Sequence, residues 1–495
     1  TVVRIEGMKM NRFALATHGK SSLSLLGVLL VAGCSVGPDY RRPDDVVAPA
    51  WLEAQRAEFD TQPAALVNWW TEFHDAKLDG LVERAVKSNF DLAIAEARIR
   101  ESRAALGVTE SGAWPTLDTS GSYSRSRTSV NSFSTGNSAA GGSSFSNPNL
   151  LEHDLFKTGF DAAWEVDVFG GTRRSIEAAR ADVEAATEDR RDVLVTLLGD
   201  VAKNYIDLRG RQRQVAVTQA NLQAQEEILR LTRIRFDAGL ASDLEIAQAE
   251  GQAQTTAAQI PTLESAIKQI AYRLDLLLGA QPGATWNDLA AQAPIPALPP
   301  QARVGLPAEL LRRRPDIRRA ERQLAAATAQ IGAATADLYP KFSLTRTFGL
   351  QSISASDWFT GRSRFWSIGP TIRWPVFDAG RIRANIEIRN AQQEQALKLY
   401  EKSVLGALGD VESALVNYSK EQTRYRSLLA AVDANRRALA MSNDLYTQGL
   451  VAFLNVLDAE RALYSSENDL AQSEANMASN LVALYKALGG GWDNQ

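Results

Sequence analysis

The chain is written twice, and this repetition limits what it can fold into more than any other feature. Leu198-Gly199-Asp200-Val201 recurs as Leu408-Gly409-Asp410-Val411, and Phe236, Gly239 and Leu240 recur as Tyr446, Gly449 and Leu450. Trp164 matches Trp374, Gly170 matches Gly380, Ile176 matches Ile386 and Gly279 matches Gly489, each pair 210 positions apart. Upstream, Asp91, Glu96 and Pro115 match Asp316, Glu321 and Pro340 at an offset of 225. The 15-residue difference falls between Pro115 and Trp164, where a Ser/Gly/Asn-rich stretch at about 120–149 reads as an extended loop. A Pro-rich connector at 281–307 separates repeat 1 (76–280) from repeat 2 (308–488), and 489–495 form a tail.

Each copy carries a long heptad. Leu194, Val201, Leu208, Val215, Leu222, Leu229 and Phe236 keep a seven-residue spacing, as do Val404, Val411, Tyr418, Tyr425, Val432, Leu439 and Tyr446. Such spacing predicts helices packed in coiled-coil fashion. A helix over 172–236 would be about 100 Å long at 1.5 Å per residue. Gly239 and Gly449 supply turns, and return helices follow at about 242–279 and 452–487.

Each copy also carries two segments of period two. Phe160, Ala162, Trp164, Val166 and Val168 alternate with Gly159, Asp161, Ala163, Glu165 and Asp167. Phe342, Leu344, Phe348 and Leu350 alternate with Ser343, Thr345, Thr347 and Gly349, with Arg346 an exception on the apolar side. Trp366, Ile368, Pro370, Ile372, Trp374 and Val376 form another series, and a weaker one starts at Leu117 and includes Tyr123. Strands are expected at about 114–125, 158–169, 340–351 and 365–377. An apolar face with aromatic ends suits a lipid-facing barrel strand, although each series alone also fits a half-buried sheet.

Four strands cannot close a barrel, and an open edge in lipid leaves backbone groups unsatisfied at a cost of several kcal/mol each. The chain must therefore pool strands with copies of itself. Two copies give eight strands and three give twelve, and both numbers remain open from the residues alone.

The amino terminus reads as an address. Lys9, Arg12 and Lys20 precede an apolar run from Leu23 to Ala32, and the run ends in V-A-G-C at 31–34. Residues 1–33 are expected to be a signal peptide, and Cys34 the lipid-attachment site of a lipobox. Residues 34–75 follow as a lipidated, equatorial segment, and Ser35 favours outer-membrane sorting.

Other classes are poorly supported. The 54 basic and 58 acidic residues leave a net charge of −4, without the basic surplus of a nucleic-acid binder. The chain has three histidines, His18, His74 and His153, no H-E-x-x-H pair, and no histidine near a plausible nucleophile serine. One cysteine leaves no disulfide framework. No stretch of eighteen or more apolar residues exists, so no spanning helix is expected. An enzyme and a resident cofactor or metal are not expected.

Several motifs together resemble the outer membrane efflux factors of the TolC/OprM type, in their lipoprotein branch. These are C-S-V-G-P-D-Y at 34–40, W-W at 69–70, L-L-R-R-R-P-D-I at 310–317, W-P-V-F-D-A-G at 374–380, L-D-A-E-R-A-L-Y at 457–464 and K-A-L-G-G-G at 486–491. The resemblance implies an α+β membrane protein: a homotrimer with a 12-stranded outer-membrane barrel, four strands per chain, over a periplasmic helical barrel. It implies an equatorial belt built from residues after about 40, the 281–307 connector and the C-terminal end. It also implies a passive duct for drugs or other small toxic compounds, served by a periplasmic adaptor and an inner-membrane RND-type transporter. Gly239, Leu240, Gly449 and Leu450 match the family's adaptor-contact tips. Leu454 and Asp458 match its periplasmic gate, with Asn455 between them where some members carry an acid. Asp458 has Gln248 as its repeat-1 counterpart, so an acidic ring would come from repeat 2 alone. A duct for protein secretion and a soluble periplasmic coiled-coil scaffold are the alternatives, and the lipobox with C-S-V-G-P-D-Y favours small-molecule efflux.

Overall fold

The computed structural model describes residues 35–43, 48–54, 59–60, 66–127, 129 and 152–493. The expected signal segment, Cys34 and residues 130–149 of the expected loop lie outside them. Repeat 1 contributes α1 (Ala76–Ser88), α2 (Phe90–Ser111), β1 (Thr116–Arg127), β2 (Glu152–Val166), α3 (Gly171–Asp237), α4 (Asp243–Ala257) and α5 (Gln259–Leu277). Repeat 2 contributes α6 (Pro307–Arg313), α7 (Pro315–Ala336), β3 (Lys341–Ser352), β4 (Arg364–Arg373), α8 (Arg381–Thr447) and α9 (Phe453–Ala487). The duplication is kept in the strand pairs and the long helices. α3 and α8 each hold 67 residues, and β1 and β3 each hold 12.

The chain divides into two compact units. One takes the described residues among 35–40, 107–178 and 328–391. Its centre is an antiparallel sheet in the order β1-β2-β3-β4, so the β2–β3 pairing joins the two repeats. The other unit takes 41–106, 179–327 and 392–495. Its core uses the middle of both heptads: Val201, Leu208, Val411 and Tyr418 are buried, with Tyr205 and Tyr400 beside them. Towards Phe236 and Tyr446 the same stripes become half-buried or exposed, except at Val432, which stays buried. The segment after residue 40, the connector and the C-terminal end meet in this unit. Phe59–Asp60 pairs in parallel with Ala302–Arg303, and the Gly491 N–H donates to the Leu66 carbonyl at 2.7 Å. Trp69, fully buried, packs against Tyr485 with ring centroids 5.4 Å apart. Arg318 and Arg319 of α7 reach Glu188 and Asp189 of α3 at 2.9 and 2.6 Å, which gives part of the basic run before and after Pro315 a packing role.

Four expectations need correction. The repeat-1 return helix, expected unbroken over 242–279, is split into α4 and α5 at Ala258. Pro261 has no N–H to continue the ladder, so it is accommodated only in the first turn of a new helix. Its repeat-2 counterpart is Ala471, and α9 runs unbroken. β2 starts at Glu152, six residues before the expected position, because Arg125 and Arg127 on β1 pair with Glu152 opposite. β1 likewise extends to Arg127, into the expected loop. β4 ends at Arg373, opposite Lys341, instead of at 377. Pro375 lacks the donor that a longer ladder needs.

Candidate functional site

The sheet has two chemically different faces. Residues paired across strands project to the same side, so the register sorts them. One side carries the rows Phe160–Phe348–Trp366, Trp164–Leu344–Pro370 and Val166–Phe342–Ile372. On β1 it continues with Leu117 opposite Ala162 and Tyr123 opposite Phe156. The other side carries the row Asp118–Asp161–Thr347–Ser367 together with Lys157, Glu165, Lys341 and Arg373. There Thr347 Oγ1 donates to Asp161 Oδ1 at 2.8 Å. The apolar side is uncovered: Leu117, Trp366 and Ile372 are 65%, 72% and 65% exposed. A contiguous patch of this kind marks a lipid or protein contact. Arg346 interrupts it, opposite Ala162 and Ile368. β1 and β4 each keep one long edge with no partner among the described residues.

Two tryptophans mark the end of the sheet where helices enter and leave. Trp164 Nε1 donates to the Ala113 carbonyl at 3.1 Å, and Trp374 Nε1 to the Leu338 carbonyl at 3.0 Å. The residues following Cys34 dock at the same end. The Val36 N–H donates to the Phe169 carbonyl at 3.2 Å, and a Cβ added at Gly170 would meet Ser35 Oγ at 2.8 Å. Arg174, almost fully buried, holds the Val36 carbonyl at 3.3 Å and pairs with Asp39 at 2.6 Å and Glu177 at 2.8 Å. These contacts give the V-G-P-D part of the amino-terminal motif a physical role.

In the other unit, the α3–α4 and α8–α9 turns are built alike. The Leu240 N–H donates to the Arg235 carbonyl at 2.7 Å and the Gly239 N–H to the Phe236 carbonyl at 2.8 Å. Leu450 and Gly449 repeat the pattern with Leu445 and Tyr446 at 2.9 and 3.0 Å. This double bond after a helix needs a left-handed residue, and Gly239 and Gly449 both have φ of 76°. The turns present apolar side chains outward, with Leu240 68% and Leu450 67% exposed. Ser242 caps α4, accepting from the Glu245 N–H at 3.4 Å. Ala452, its counterpart, leaves α9 without a side-chain cap. The two turns are tied together by Tyr446, whose hydroxyl donates to Glu245 Oε2 at 2.8 Å while the Arg235 guanidinium lies 4.5 Å from its ring. Burial and the Glu245 bond push the Tyr446 hydroxyl up to about 12.

Leu454, Asn455 and Asp458 all lie exposed in the first turns of α9, with Leu454 and Asp458 one turn apart on one face. Asp458 makes only a loose pair with Arg461, at 4.0 Å. Arg461 Nε also donates to Gln252 Oε1 at 2.8 Å, which bridges α9 to α4. The opposite face of α9 holds a group that the sequence reading passed over. Glu460 is only 3% exposed, and neither carboxyl oxygen has a hydrogen-bond partner within 3.5 Å. It lies beside the buried Gln225 of α3 and shares its stripe with Phe453, Val456 and Leu457. Burial pushes its carboxyl up to about 7, with Gln225 and Arg461 opposing. Its counterpart Glu250 is exposed and reaches Arg233 at 3.7 Å. The signal was available: Phe453, Val456, Leu457, Glu460, Leu463 and Tyr464 follow a three–four spacing, which places a carboxylate on an apolar stripe.

Among the described residues, no group of three or more His, Cys, Asp or Glu is arranged to hold a metal ion. No described helix is long and apolar enough to cross a membrane, which says nothing of a barrel. Comparison with known proteins agrees with the two-repeat reading. The sequence model of the outer membrane efflux protein family matches residues 81–280 and 306–490. The solvent efflux pump outer membrane protein SrpC of Pseudomonas putida is 33% identical over 480 residues, 95% of this chain and 98% of that protein. Nodulation protein T of Rhizobium leguminosarum bv. trifolii is 31% identical over 478 residues, 94% of this chain and 96% of its own length. Among solved structures, the outer-membrane channel OprN superposes with a TM-score of 0.85 at 35% identity, over 93% of this chain and all of that one.

Proposed function

Because the chain belongs to the outer membrane efflux protein family, we propose that three copies close one barrel and form the exit duct of a tripartite efflux pump. The observation that carries this reading is the four-stranded sheet whose two edges are unpaired and whose apolar face is exposed among the described residues. Pairing β1 of one copy with β4 of the next satisfies both edges and leaves no open backbone in lipid. The polar rows of Asp118, Asp161, Lys157 and Glu165 then line an aqueous bore. A lipid on Cys34 anchors the chain beside the helix-joined end of the sheet, where Val36 and Asp39 dock. Exposed apolar residues along the long helices, Ile388, Leu399 and Leu405 among them, supply faces for neighbouring copies.

The duct is passive. The Gly239-Leu240 and Gly449-Leu450 turns are the contacts for a periplasmic adaptor, and an RND-type inner-membrane transporter supplies the energy. Small organic compounds are the cargo, in keeping with the solvent named for SrpC. Leu454 and Asp458 form the constriction, where three like charges near the axis disfavour anions. The adaptor opens it by preferring the separated tips. Single-channel recording in planar bilayers tests this: Asp458→Ala, alone or with Leu454→Ala, raises conductance. Unchanged conductance in both variants removes the gate assignment.

A further inference from the structure

We infer that Arg346 and the apolar residues around it form a binding site for the phosphate of a membrane phospholipid in the leaflet nearer the helix-joined end of the sheet. The inference rests on reading this face of the sheet as lipid-facing.

The register places Arg346 opposite Ala162. One row towards the outer end stand Phe160 and Phe348, and one row towards the helices stand Trp164 and Leu344. Ala162 is the smallest of these side chains, so the patch is a shallow notch with an arginine on one wall and rings at its corners. Arg346 is exposed, its Cζ lies 5.9 Å from the Phe348 ring centroid, and among the described residues it has no carboxylate partner. Among the described residues none is available nearby on this face. Its acidic residues, Glu152 and Asp154, lie at the outer end of β2 and are already engaged by Arg125 and Arg127.

A lone cation in an apolar, lipid-contacting surface is costly unless it finds an anion or reaches the interface. Its height along the sheet selects the anion. Trp164 donates its indole N–H to a backbone carbonyl at the helix-joined end, and tryptophans of this kind mark the membrane–water boundary. Arg346 stands one row above Trp164, about 6.7 Å along the strand and about 5 Å along the normal for a strand tilted by about 40°. An extended arginine spans that gap, and its planar fork matches phosphate oxygens in a bidentate way that lysine cannot. An acyl chain then lies over Ala162, between the Phe160 and Trp164 rings.

The intact trimer in detergent is titrated with dioleoylphosphatidylglycerol or with phosphate-free dioleoylglycerol, and bound lipid is counted by native mass spectrometry. The wild type is expected to bind phosphatidylglycerol at least tenfold more tightly than Arg346→Leu or Arg346→Gln, with Arg346→Lys between. All four proteins bind dioleoylglycerol equally, and inorganic phosphate in millimolar excess does not displace the lipid. Equal phosphatidylglycerol binding by wild type and both neutral variants overturns the inference, as does equal wild-type affinity for the two lipids. Displacement by inorganic phosphate overturns the lipid as the source. Failure of the wild type to insert into vesicles at all overturns the lipid-facing reading itself, a separate outcome.

Discussion

Replacing Glu460 by glutamine removes the one titration that the tip helices cannot absorb without cost. In the packed tip this carboxyl is 3% exposed, and burial raises it from 4.5 to about 7. The packed form thus binds its proton more tightly than the separated form. The contribution to packing is fully present below about pH 4.5 and is lost as pH rises towards 7. Converting the difference at 1.36 kcal/mol per pH unit gives about 3 kcal/mol per chain in favour of separation above neutral pH. The glutamine side chain keeps the shape and hydrogen-bonding capacity without the charge, so the variant holds its tips packed across the range. Hydrogen–deuterium exchange of peptides from Phe453 to Leu463 reads this directly. Comparing the two proteins at one pH cancels the intrinsic exchange rate. At pH 8 the wild-type peptides exchange about 100-fold faster than those of Glu460→Gln, the scale set by about 3 kcal/mol. At pH 5 the ratio falls to about fourfold. A ratio that does not change between pH 5 and pH 8 would refute the reasoning, because Glu460 would then not be the titrating group.

Two other substitutions probe the frame that holds these sites. Gly449→Ala places a Cβ on a residue with φ of 76° and costs about 1–2 kcal/mol of local stability, although nothing lies within 4 Å of the added atom. Faster exchange confined to the α8–α9 turn checks it, and an unchanged turn counts against backbone strain there. Trp69→Ala empties a fully buried indole site beside Tyr485 and Phe73 and costs about 3–5 kcal/mol. A lowered urea midpoint checks it, and a loss below about 1 kcal/mol would mean that the indole is not part of the core.

The parts of the fold legible in the sequence were those where one period persisted. Seven-residue spacing from Leu194 to Phe236 and from Val404 to Tyr446 lies within the 67-residue helices α3 and α8. Alternation around Phe160, Phe348 and Trp366 sorted the faces of the sheet, and the pairing register brings those three residues into one row. The segment from Glu152 to Lys157 joined β2 through charge pairs with β1, which leave no apolar period to read. The break at Ala258 turned on Pro261 against Ala471, a difference that appears only when the copies are compared residue by residue. At the tips, the Gly-Leu turns were visible because glycine adopts that backbone without strain. The Glu245–Tyr446 tie was not, because it joins residues 201 positions apart on elements whose packing the spacing does not fix.

The central claim is that this sheet is complete only when shared. The mass of the detergent-solubilised complex, with detergent contribution subtracted by multi-angle light scattering, tests that most directly. Three chains per particle, with the protein falling out of solution when detergent is withdrawn, is the predicted result. A stable single chain in detergent-free water would contradict it, since both strand edges and the Leu117–Trp366 face would then be tolerated without a partner.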